Sequence, residues 1–156
     1  MSLTSPKTPP PELANLVRIR QLRDSAYEWV QLLQFRQNAE EYLAAAQAEG
    51  ARPIAKFLLA YEAIHSLCIG YVYAHGLLPA EGPGHRETVL KLALQQLGGT
   101  PEEFAELDQA HRTRNEKTYR LPAPPVSGKT ADELLALAQR LTSLAKAKLP
   151  DWFEDR

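Results

Sequence analysis

Residues 111 to 120 read HRTRNEKTYR, four basic side chains with a histidine, an asparagine and a tyrosine in ten positions. Each type has a chemistry. A guanidinium fork takes a phosphate in two hydrogen bonds, an imidazole exchanges protons near neutrality, a carboxamide orients its neighbours, and a phenol donates. Wound at 3.6 residues per turn, Phe104, Leu107, His111, Arg114, Asn115 and Thr118 share one side of a helix, with Tyr119 one step round. The apolar stripe begun by Phe104 and Leu107 thus turns polar where a further hydrophobic residue would continue it. An arginine turned toward packed surface needs partners, because an unpaired buried charge costs several kcal/mol. The stretch therefore forms a bonded structural network or a site, with His111, Arg114, Asn115 and Tyr119 as its candidates. Arg112, Lys117 and Arg120 fall on other sides. They read as the flank of a phosphate-binding groove or as solvated cations that complement the negative end of the helix dipole.

The remaining chemistry-bearing residues are weaker signals. SGKT at 127–130 resembles the end of a phosphate-binding loop, but the first glycine of that pattern falls on Ala123 and no strand precedes it. His65 and Cys68 stand three apart, yet two ligands inside an apolar stripe fall short of a zinc site, so both read as buried packing and no metal is expected. His75 and His85 sit at helix ends, where each can bond a loop carbonyl. Ser66 beside His65 makes no triad, since adjacent helical residues point apart. Nothing here calls for a cofactor.

The elements that must position these residues are helical. Pro9, Pro10 and Pro11 place a helix start at Pro11 or Glu12, and apolar positions from Leu13 through Leu22, Ala26 and Leu33 predict one long or two consecutive helices closed by Gly50. The segment after Pro53, with Phe57, Tyr61, Ile64 and Cys68 on one stripe and Leu58, Leu67, Ile69 and Val72 elsewhere, is apolar on most sides and belongs at the centre of a bundle. Residues 86–97 resume the pattern after a proline- and glycine-rich break. Thr100 and Glu103 form a capping box with Pro101 between them, launching the helix that carries the candidate site, and Pro122 stops it. A second box at Thr130 and Glu133 starts the last helix. No run alternates with period two, so the expected fold is an all-α, single-domain bundle of five to six helices, with residues 1–11 a flexible lead-in, 12–149 the bundle and 150–156 a C-terminal tail.

Length and composition agree. A chain of 156 residues can bury one sizeable core without disulfides or metal. Eighteen basic against nineteen acidic residues give no whole-molecule attraction to polyanions, so any such site is local. One cysteine excludes an internal disulfide and is compatible with a reducing compartment. No apolar run reaches membrane-spanning length and the proline-rich start lacks a signal-peptide core, which together point to a cytoplasmic protein without a membrane partner.

The order of FLLAYEAIHSLCIGYVYAHGL, GPGHRETVLKLALQQLG and ELDQAHRTRNEKTY resembles the HEPN family of small all-α domains over roughly residues 12 to 145. Its ribonuclease members carry an arginine, usually a polar residue, then a histidine after four to six intervening positions, and they dimerise so that two motifs face one cleft. The resemblance implies that Arg114 binds phosphate and stabilises the transition state and that Asn115 orients it. Tyr119 stands where the histidine belongs. A phenol near pKa 10 is a poor base at pH 7, and no histidine follows Arg114 in this chain. His111, one turn earlier, is the substitute that geometry permits. The resemblance thus implies a homodimeric RNA- or nucleotide-binding module with nuclease activity weak or lost, in a toxin-antitoxin or stress-defence setting with a minimal nucleotidyltransferase as partner. Its alternatives are a metal-independent endoribonuclease toxin, with Arg114 as clamp and His111 or Tyr119 as proton donor, and a dimerisation module without ligand.

Overall fold

The computed structural model describes residues 3–119 and 125–155, with side chains described for 3–115 and 125–155. In chain order the elements are α1 (Pro11–Arg18), β1 (Leu22–Asp24), α2 (Trp29–Ala46), α3 (Pro53–Tyr73), β2 (Leu77–Pro79), α4 (His85–Leu97), α5 (Pro101–Tyr119) and α6 (Gly128–Lys148), followed by a 3₁₀ turn at Pro150–Phe153. The fold is an all-α bundle. α3 is its axis, as its all-round apolar sequence requires: thirteen of its 21 residues are buried, and α2 and α6 pack most extensively against it.

Three details differ from expectation. Of the one long or two consecutive helices expected after Pro11 the chain forms two, but not directly consecutive: α1 stops at Arg18, Arg20 adopts φ of 62°, and Gln21 N–H bonds the Leu16 carbonyl at 2.8 Å, turning the chain out of the helix. Leu22, which fitted the helical period, instead opens a strand. β1 pairs antiparallel with β2, Leu22 opposite Pro79 and Asp24 opposite Leu77, and three residues are too few to display alternation. α2 ends at Ala46, short of Gly50. The last helix starts at Gly128, two residues before the expected box, because Ser127 Oγ accepts from the Thr130 N–H at 3.0 Å and so serves as the cap itself. The box at Thr100 forms as expected: Thr100 N–H donates to Glu103 at 2.9 Å, and Glu103 N–H donates to Thr100 Oγ1 at 3.2 Å.

Both ends of the described chain are tied to the core. Leu3 is buried and its carbonyl accepts from the Tyr27 hydroxyl, while Lys7 N–H bonds the Ala74 carbonyl at 2.8 Å. The segment expected as a tail contributes Trp152, fully buried, with its indole N–H on the Leu32 carbonyl at 2.8 Å. Its ring lies on α3 at Gly70, where a Cβ would stand 2.5 Å from Trp152 Cζ2; only glycine leaves room. Arg36, buried on α2, reaches Asp155 at 3.0 Å.

No helix among the described residues is long and apolar enough to cross a membrane.

Candidate functional site

α5 presents the predicted face to the core. Leu107 and Ala110 are buried, and His111 follows them inward at 8% exposure, so the apolar stripe passes into polar groups without leaving the interior. The polar groups are met by α3. The His111 ring bonds the Tyr61 hydroxyl through Nδ1 at 2.7 Å and the Asn115 side-chain amide through Nε2 at 3.0 Å. Arg114 Nη1 donates to Asn115 Oδ1 at 3.4 Å, Arg114 Nη2 donates to Glu62 Oε1 at 3.3 Å, and the guanidinium lies 5.7 Å from the centre of the Tyr61 ring.

These contacts set a direction for the hydrogen bonds running from Arg114 to Tyr61. Asn115 Oδ1 accepts from Arg114, so its NH₂ faces His111 and donates to Nε2. Nε2 is then the bare nitrogen of a neutral ring, Nδ1 carries the proton, and Nδ1–H donates to Tyr61 Oη. The charges agree with this chain. Burial pushes the Tyr61 phenol up to about 12, against the pull of Arg114. Burial also lowers His111 below its ordinary range, with Glu87 acting the other way and Arg114 adding to the lowering. Both are neutral at pH 7. His111 thereby spends both ring nitrogens on holding Asn115 and Tyr61, and its chemical part is to position Asn115, and through it Arg114, rather than to exchange protons.

A cleft of about 810 Å³ opens beside this network. Three arginines from three elements line it: Arg23 on β1, Arg86 in the first turn of α4 and Arg114 on α5. Arg23 and Arg86 are exposed, and among the described residues neither forms an ion pair. His65, one turn along α3 from Tyr61, also lines it, as do Asn115 and His111. Glu81 and Glu87 bring negative charge to the rim, Glu87 already holding Lys91 at 2.9 Å. Burial, then Arg86 and Arg114, push the His65 imidazole down to about 4, so it too is neutral at pH 7. The arrangement offers exposed cationic forks beside uncharged hydrogen-bonding groups, the chemistry that takes up an anion with polar substituents.

Of the predicted residues, the structure brings His111, Arg114 and Asn115 together. Arg112 points away, mostly exposed, bonded to Asp108 at 3.0 Å, and it does not line the cleft; Asp108 also takes Lys91 at 2.7 Å, so the pair is part of an α4–α5 brace. The side chains of Lys117 and Tyr119, and Arg120 altogether, lie outside the described residues. Cys68 is fully buried, its thiol pushed up to about 12 by burial, as packing predicts. His65 is not simply packed: it faces the cleft. His75 Nδ1 bonds the Tyr71 carbonyl of its own helix at 2.9 Å, and His85 Nδ1 the Ala80 carbonyl at 3.3 Å. No cluster of three metal-ligating side chains occurs among the described residues. Sequence reasoning missed Arg23, Tyr61, Glu62, His65 and Arg86 as site members. Glu62 left a signal, being the one carboxylate inside the apolar α3 sequence; Arg86 left none, since a loop-proximal arginine is ordinary.

No protein-family model, curated protein or solved structure matches this chain.

Proposed function

We propose that this protein is a helical RNA- or nucleotide-binding module, HEPN-like in character, that holds phosphate in the cleft between Arg86 and Arg114 and cleaves RNA weakly or not at all. The observation that carries the reading is the convergence of Arg23, Arg86 and Arg114 on one cleft, two of them exposed and without an ion pair among the described residues. Guanidinium groups gathered from separate elements cost repulsion, which an anionic ligand removes. The network of Asn115, His111 and Tyr61 supports the reading further, because it fixes Arg114 before any ligand arrives.

Weak cleavage follows from proton bookkeeping. Metal-independent attack by a 2′-hydroxyl needs a base and an acid near neutrality. His111 has both nitrogens bonded and Tyr61 holds its proton to about 12, so neither serves as a base, and His65 alone cannot supply both a base and an acid. Tyr119 supplies at most a donor. A homodimer, a nucleotidyltransferase partner, a toxin-antitoxin or stress-defence setting and a cytoplasmic location belong to the same proposal and rest on the family resemblance in sequence.

The test is a mixed RNA incubated with the purified chain in chelator, beside Arg114→Ala. Salt-sensitive binding that Arg114→Ala weakens tenfold or more, with little cleavage, is expected. Rapid cleavage dependent on Arg114 shifts the assignment to a ribonuclease, and absence of binding at low salt overturns the proposal.

A further inference from the structure

We infer that His65 is a ligand-contacting residue of the cleft: as a phosphodiester settles between Arg86 and Arg114, His65 takes up a proton and holds the phosphate as an imidazolium. The inference rests on the phosphate-binding reading above and adds a residue and a proton to it.

Its basis is an asymmetry between two histidines on facing helices. His111 has a partner at each ring nitrogen. His65 has a buried Nε2 with no hydrogen-bond partner among the described residues, in a ring that lines the same cleft. A buried polar nitrogen left unpaired costs stability, which a turn of the ring that presents Nε2 to a ligand in the cleft would recover. The charged and titratable groups acting on His65 are Arg86 from α4 and Arg114 and His111 from α5, with the Tyr61 ring of its own helix at 6.2 Å; Arg23, Glu81 and Glu87 line the same cleft. No carboxylate is among the groups acting on it. Burial and each of the charged groups acting on it therefore oppose a proton on His65 in the empty cleft. A phosphate oxygen reverses this, since it neutralises the two guanidiniums that repel the imidazolium and supplies a negative acceptor in their place.

The proton is linked to the ligand. Burial and the two arginines hold the free imidazole near 4. An opposite charge at close range raises such a group by about 1–3 units, so a rise of about two brings it near 6 in the complex and makes binding about tenfold tighter at pH 5 than at pH 7.

The experiment titrates a uridine hexanucleotide into the full chain at pH 5, 6 and 7 at fixed salt. Its bases and phosphodiesters keep constant charge over that range, so any steepening comes from the protein. Wild type is expected to tighten about tenfold toward pH 5, whereas His65→Gln stays within twofold across the series and within a few-fold of wild type at pH 7. In the wild-type chain itself, the His65 imidazole resonances followed by NMR are expected to titrate near pH 4 free and near pH 6 bound. That reading needs no folded variant. A pH-independent affinity, the same steepening in His65→Gln, or an unmoved His65 titration overturns this inference alone; no binding at any pH and low salt overturns the phosphate-binding reading with it.

Discussion

His111 Nδ1 lies 2.7 Å from the Tyr61 hydroxyl, joining the polar face of α5 to the central helix through a buried bond. Tyr61 also places its ring under Arg114, so one side chain supports both ends of the network. Tyr61→Phe separates the two roles: the ring stays and the acceptor of Nδ1–H goes. A buried donor without a partner costs about 1–3 kcal/mol, which urea unfolding should read as a lower midpoint at unchanged slope. Oligonucleotide affinity should fall less than threefold in Tyr61→Phe and further in Tyr61→Leu, which removes the ring as well.

Gly70 and Trp152 fix the end of the chain to the core. A methyl at Gly70 meets the Trp152 ring at 2.5 Å and Phe35 Cβ at 2.9 Å. Gly70→Ala should cost about 1–3 kcal/mol through overpacking, and Trp152→Ala about 3–5 kcal/mol through loss of a fully buried indole. Thermal melts of both variants check this; wild-type melting of Trp152→Ala would show that residues 150–153 add nothing to the bundle.

His65 makes stability depend on pH. Its folded value near 4 lies below the ordinary 6.5, so the unfolded chain binds the proton more readily. The native state then loses stability as pH falls from about 6.5 toward 4, by on the order of 2–3 kcal/mol for a shift of that size. His111, lowered in the same direction by burial, adds to the loss. Denaturation at pH 7 and pH 5 should show a smaller pH effect in His65→Gln than in wild type.

Arg112 lies on the outer side of α5, on Asp108. As an exposed pair it contributes about 0–1 kcal/mol, and its removal should leave oligonucleotide affinity within twofold. Comparable losses in Arg112→Ala and Arg114→Ala would mean that binding tracks the charge of α5 as a whole and not the cleft.

Much of this was legible in the residues. The all-round apolar pattern of α3 marked the axis, the Thr100 box marked the start of α5, and helical winding separated His111, Arg114 and Asn115 from Arg112. Winding gives the side of a helix, however, and not what stands across from it. Tyr61 read as core because its ring is core, and nothing in α3 alone says that its hydroxyl meets His111 on α5 fifty residues later. Arg86 and Arg23 enter the cleft only through tertiary packing: one from the first turn of α4, the other through a three-residue strand too short for alternation to register. The 3₁₀ turn left no signal because one tryptophan has no period, although its large ring is buried whole.

The salt dependence of oligonucleotide binding tests most directly whether arginines of one cleft hold phosphate. With a uridine hexanucleotide at pH 7, the logarithm of the association constant should fall linearly with the logarithm of salt concentration. Arg86→Ala and Arg114→Ala should each make the slope shallower by about 0.7, the increment for one lost contact to a single strand, while Arg112→Ala leaves it unchanged. Wild-type slope and affinity retained in both Arg86→Ala and Arg114→Ala would contradict the account.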